Sequence, residues 1–117
     1  KIRHQFGRPI GSFQAIKHMA ANLLLEVESA ISAARNAAAK TDEEADDASA
    51  WRYLAGFACA DAYGTTAADA VQMHGGIAFT WEHPAHLYLR RARATSQLLG
   101  SSDAYREKYL SAIGGTL

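Results

Sequence analysis

Two stretches of this chain combine residue types suited to holding an anion. The first, RHQFGRPIGSFQ from Arg3 to Gln14, sets two guanidinium groups, two aromatic rings and two amides among Gly7, Pro9 and Gly11. Arg3 carries a planar, permanent charge that grips a phosphate through paired N–H donors. The second, QMHGG from Gln72 to Gly76, ends an Ala-rich run on two glycines. Glycines let backbone approach an anion with no Cβ in the way. Each stretch also has a plain structural reading. Arg3 is then a surface arginine at a helix end, Phe6 an anchor for a turn, and Gly75–Gly76 an ordinary helix C-cap.

Downstream of the glycines lie His74, His83 and His86. His83 and His86, three apart, share a helical face, but no cysteine pair or completed ligand set accompanies them, so no metal site is expected. His83 reads as a helix-start residue. Glu82 reads as a cap or an ion-pair partner for a nearby arginine. Arg90 and Arg93 share a face while Arg91 points elsewhere, and the cluster lacks basic surroundings.

These residues need a frame. The 117 residues suffice for one domain with a modest core. Twelve basic residues balance twelve acidic ones, which argues against a nucleic-acid-binding domain. The lone Cys59 cannot form an internal disulfide and reads as a small buried hydrophobe. No apolar run reaches membrane-spanning length.

Gly7, Pro9 and Gly11 break any helix at the start, with Lys1–His4 as the frayed end of an earlier helix. Ser12 suits an N-cap. Phe13, Ile16, Ala20, Leu23, Val27, Ile31 and Ala34 then form an apolar stripe to about Lys40. Thr41 and Glu44 have capping-box spacing in the acidic TDEEADDAS connection. A second long helix is expected from Asp42 to Met73, burying Trp51, Leu54, Phe57, Ala58 and Ala62, with Gly64 permitting a close crossing. Pro84 opens a third helix that ends near Gly100. Ser101 or Ser102 caps a last one, to about Ile113. The pattern predicts an all-α fold, an antiparallel four-helix bundle over residues 1–117.

Arg3, Phe6, Gly7, Ile10 and Gln14 together resemble the Arg-x-x-Phe-Gly signature opening the C-terminal domain of acyl-CoA dehydrogenases. Gln72, Gly75 and Gly76 resemble the family's Gln-x-x-Gly-Gly signature, in the right order and across nearly the whole chain. The continuation FTWEHPAHLYLRRA looks most like the actinobacterial branch, including members acting on steroid side chains or unusual acyl chains. The resemblance implies a C-terminal fragment of a three-domain chain, beginning here without Met. It implies FAD as cofactor, with Arg3, Gln5, Phe6, Gln14, Gln72, Gly75, Gly76 and Ser101 in contact with it and Gly100 lining the substrate site. It further implies an acyl-CoA substrate, an electron-transfer flavoprotein or similar acceptor, a homo- or hetero-tetramer, and a cytoplasmic location.

One departure stands out. Many members place their catalytic Glu some 27 residues after the Gln of the second signature. Counting 27 from Gln72 reaches Leu99, followed by Gly100 and Ser101. Leucine takes no proton, so the base lies upstream or on a partner. Three readings follow from the sequence: the flavin-contacting bundle of an acyl-CoA dehydrogenase, a non-catalytic scaffold subunit of a heteromeric one, or a plain bundle for a small apolar ligand. The resemblance favours the first.

Overall fold

A computed structural model describes residues 3–114. Its architecture is four helices behind a short hairpin. Strands β1 (His4–Gln5) and β2 (Arg8–Pro9) pair antiparallel, and a 3₁₀ turn spans Ile10–Ser12. Helices α1 (Gln14–Asp42), α2 (Ala48–His74), α3 (Ala85–Leu98) and α4 (Ser102–Ala112) follow, with a second 3₁₀ segment at Gly75–Phe79. The expected four-helix fold is present, and α2 is its centre, packing against α1, α3 and α4.

The hairpin replaces the expected frayed helix at His4; Lys1 and Ile2 lie outside the described residues. Its two-residue loop, Phe6–Gly7, has positive φ at both positions (52° and 76°), the mark of a type I′ turn. Ile10 N donates to Arg3 O at 3.0 Å and closes the ladder.

Several expected helix ends differ for identifiable reasons. Ser12 is not the cap of α1: its Oγ donates back to Pro9 O at 2.6 Å, and Phe13 takes the N-cap position without a side-chain bond. The Thr41–Glu44 capping box does not form. Thr41 Oγ1 donates to Ala37 O at 2.7 Å inside the last turn of α1, which therefore runs to Asp42. Glu44 turns the chain at φ 52°, and α2 begins only at Ala48. There Asp47 accepts from Trp51 Nε1 at 2.9 Å. The Ser101 cap does form, with Ala104 N donating to Ser101 Oγ at 3.2 Å.

The core is built from small side chains. Ala48, Ala50, Ala62, Ala67 and Val71 are buried on α2 and Leu23, Ala33 and Ala37 on α1, with Val71 clustered with Ala78, Ala85 and Leu89. Of the side expected to be buried on α2, Ala62 is buried while Trp51, Leu54, Phe57 and Ala58 are half-buried. On the α1 stripe, Leu23 is buried, Val27 and Ile31 are half-buried, and Ala20 and Ala34 are exposed.

The close crossing occurs at Gly56, not Gly64. A Cβ at Gly56 would sit 2.8 Å from Cδ1 of the Tyr105 ring, whereas one at Gly64 would meet nothing within 4 Å. Cys59 is half-buried, and its thiol donates to Ala30 O at 3.5 Å. Burial pushes the thiol above its ordinary value of 9.0.

Two outcomes test this packing. Gly56→Ala should cost about 1–3 kcal/mol by overpacking, while Gly64→Ala should be neutral or stabilise by up to about 1 kcal/mol; thermal melts compare them. Cys59 should alkylate more slowly than an exposed thiol at neutral pH, becoming fully reactive on unfolding. Because its folded pKa is raised, the stability from the neutral thiol should be present below pH 9 and lost as pH rises through and beyond that value.

Candidate functional site

The two glycine-marked stretches meet in one cleft. Helix α2 ends at Gly75, whose backbone (φ 69°, ψ −151°) lies in a region essentially reserved for glycine. The Gly75 N–H turns back to Gln72 O and Val71 O. The hairpin brings Arg3 to this end, where its Nη1 donates to His74 O. A Cβ on Gly75 would lie 2.8 Å from that Nη1 and 3.2 Å from Nη2. The space opened by this glycine is therefore taken by the guanidinium. Arg3 satisfies a terminal carbonyl and offsets the negative end of α2. One of its five N–H donors is used in this way, leaving others for a ligand.

Around this contact is a cleft of about 310 Å³, lined among others by Arg3, Gln5, Phe6, Phe13, Gln72 and Gly75. It offers one cation, two amides and two aromatic rings. Its volume is at the lower end of the ~300–1,000 Å³ typical of ligand clefts. Phe6 is 92% exposed at the hairpin tip, and its ring meets Phe13 edge-on at 6.3 Å. A non-glycine residue held at positive φ, with its ring in solvent, is strain of the kind that collects at ligand sites.

Five of the expected cofactor residues, Arg3, Gln5, Phe6, Gln72 and Gly75, line the cleft. Gln14 does not: it lies on the first turn of α1, where its Nε2 is 3.1 Å from His18 Nε2. Gly76 is exposed beside the cleft but outside its lining. Gly100 and Ser101 lie at the α3–α4 corner. Ile10, Phe13, Ala15, Ile16 and Met73 complete the cleft wall; of these, the first signature included Ile10, and the α1 stripe marked Phe13 and Ile16 as packing residues only.

The corner forms a second, apolar hollow of about 250 Å³ whose lining includes Leu99, Gly100 and Tyr105 and holds no carboxylate. Leu99 is 74% exposed, and its carbonyl accepts from Tyr105 Oη at 2.6 Å. Gly100 bends the chain at φ 110°. Ser101 serves α4 as its cap. The nearest acid in sequence, Asp103, is paired with Arg106 at 2.9 Å.

The histidines make no ligand cluster. His74 and His83 rings approach to 4.3 Å, His83 Nδ1 accepts from Ala85 N at 3.2 Å at the start of α3, and no group of three potential ligands occurs among the described residues. Glu82 forms no ion pair among them, so the expected arginine partner is absent. Arg90 instead lies over the Trp81 ring at 5.4 Å.

The family model described as "Acyl-CoA dehydrogenase, C-terminal domain" matches residues 1–113. The chain belongs to the acyl-CoA dehydrogenase family. It is 48% identical to acyl-CoA dehydrogenase FadE34 of Mycobacterium tuberculosis over 106 residues, covering 90% of this chain and 15% of that protein. It is 47% identical to acyl-CoA dehydrogenase IpdE2 of Mycolicibacterium smegmatis over 100 residues, covering 86% of this chain and 30% of that one. Among solved structures, butyryl-CoA dehydrogenase from Megasphaera elsdenii superposes with a TM-score of 0.86 at 28% identity, over 97% of this chain and 29% of that one. The chain thus spans under a third of the length of these relatives. Both stretches that resemble the family signatures fall within the matched residues, and of their residues Arg3, Phe6, Ile10, Gln72 and Gly75 line the cleft.

The two glycines separate structural demand from mere sequence. Gly75→Ala should destabilise the protein by about 1–3 kcal/mol through backbone strain and displace Arg3. A Cβ at Gly76 would meet nothing within 4 Å, so Gly76→Ala should melt within about 1 kcal/mol of the parent. Equal effects of the two would contradict the arrangement described.

Proposed function

We propose that this chain is the flavin-contacting and oligomer-forming C-terminal bundle of an FAD-dependent acyl-CoA dehydrogenase, which oxidises the α,β bond of an acyl-CoA thioester. The observation that carries this reading is the convergence of Arg3 and Gly75, one from each family signature, on a single cleft. The donor set fits a flavin dinucleotide: a guanidinium for phosphate, the Gln5 and Gln72 amides for polar edges, and the Phe6 and Phe13 rings for a planar face. FAD, when bound, supplies the acceptor for the β-hydride. Arg3 holds anionic charge at an end of α2 that would otherwise repel it. The cleft takes only one portion of the cofactor, and the remainder rests on protein outside these residues.

The proton chemistry is not supplied by this bundle. Abstraction of the α-proton needs a base within hydrogen-bonding reach, and the α3–α4 corner presents Leu99 instead. A carboxylate elsewhere in the parent protein supplies it. The same observation favours a second reading, a partner subunit of a heteromeric dehydrogenase whose homologue carries the base. Exposed Leu24, Leu25, Phe79 and Trp81 support assembly into a tetramer. An electron-transfer flavoprotein or similar carrier would reoxidise the flavin, and the cytoplasm is the proposed location. Among the described residues no helix is long and apolar enough to cross a membrane.

Arg3→Ala in the intact flavoprotein should raise the Kd for FAD at least about tenfold, the loss of a hydrogen-bonded charge being worth ~1.5–3 kcal/mol. Unchanged flavin content across a dilution series would count against the reading. Turnover by the parent protein purified alone would exclude the scaffold role, and turnover only with a homologous partner would establish it. Leu99→Ala should leave turnover within about tenfold of the parent, far from the ~10²–10⁴-fold loss that follows removal of a general base.

A further inference from the structure

Beside the cleft, outside its lining, stands a second arginine, Arg8, whose N–H groups make no hydrogen bond or ion pair among the described residues. The strand register pairs Gln5 with Arg8 and His4 with Pro9. Side chains alternate along strands, so Arg3, Gln5, Arg8 and Ile10 fall on one face of the hairpin. Arg3, Gln5 and Ile10 line the cleft. The Arg8 guanidinium stacks on Phe13, another cleft residue, 4.0 Å from its ring centroid. A guanidinium held over a ring in this way can keep its N–H donors available to a ligand.

Arg8 also has no opposite charge paired with it among the described residues. From Arg3 to Leu25 the chain carries Arg3, Arg8 and Lys17 and no carboxylate, the first being Glu26 on α1. None of these three cations joins an ion pair among the described residues, and neither Asp69 nor Glu82 pairs with Arg8. A positive hairpin held against the end of a helix, with two guanidinium groups on one face, suits a ligand with two adjacent negative charges better than one with a single charge.

We infer that Arg8 is a second phosphate-holding residue of this cleft, gripping the diphosphate of the flavin dinucleotide from the turn side while Arg3 grips it from the helix end. This rests on the flavin reading proposed above. Phe13 is its platform: it sets the guanidinium plane and forms the cleft wall with one side chain. Lysine at position 8 would keep the charge and lose the planar fork.

The test is FAD affinity of the intact flavoprotein, measured by flavin fluorescence at low and high salt, with melting temperature as a control. Arg8→Ala should raise the Kd about tenfold and flatten its salt dependence, since a screened charge contact has been removed. Arg8→Gln, which keeps a stem over Phe13 without the charge, should match it, guarding against a folding defect in the alanine variant. Arg8→Lys should lie between the parent and these. Melting temperatures of the flavin-free proteins should agree, because Arg8 is exposed. If Arg8→Ala and Arg8→Gln bind FAD within twofold of the parent while Arg3→Ala weakens it, Arg8 is only a stacked surface residue and the inference falls alone. A parent protein that binds no FAD overturns the flavin reading and this inference together.

Discussion

The site depends on the hydrogen bond from the Arg3 guanidinium to the His74 carbonyl, made across Gly75. It ties residues 71 positions apart and joins a hairpin that has almost no core of its own to the end of the central helix. Three separate demands meet there. A helix C-terminus leaves carbonyls without partners, the chain must leave α2 through a backbone conformation only glycine adopts easily, and a guanidinium needs the room that a Cβ would fill. The contact answers all three. It also places a fixed cation where the helix end alone would repel an anionic ligand.

The same economy of small residues governs the rest of the bundle. Alanines on α2 let α1 approach closely, and Gly56 lets the Tyr105 ring lie against the helix backbone. Tyr105 then reaches the Leu99 carbonyl and secures the α3–α4 corner, where Gly100 bends the chain and Ser101 starts α4. The corner is thus well defined although it offers no base. The donors proposed to hold an anionic cofactor lie instead at the hairpin cleft. The two cavities share no lining residue.

The four helices were legible because their signals are long. An apolar stripe of several turns, the Gly75–Gly76 stop and Pro84 each act over enough residues to be read without tertiary information. The hairpin was not legible, because two-residue strands carry no readable alternation and Phe6 is not a residue that announces a type I′ turn. The local caps divided in the same way. Ser101 donates no competing bond and caps as expected, whereas the Ser12 and Thr41 hydroxyls turn back to carbonyls three and four residues earlier. Gly56 and Gly64 look alike in sequence, and only the position of Tyr105 distinguishes them. At the site, the resemblance points to Arg3, Gln5, Phe6, Gln72 and Gly75, which line the cleft, and to Gln14 and Gly76, which do not. The motifs alone could not reveal that Gly75 makes room for Arg3, since that depends on the hairpin that folds one motif onto the other.

The hairpin and the end of α2 are proposed to form one cofactor-binding unit. Amide hydrogen exchange of the intact flavoprotein with and without FAD tests it most directly. Backbone amides between Arg3 and Arg8 and between Gln72 and Gly76 should slow together on FAD addition, while those at the Leu99–Ser101 corner should change less. Saturating FAD that protects neither segment, or only one of them, would contradict it.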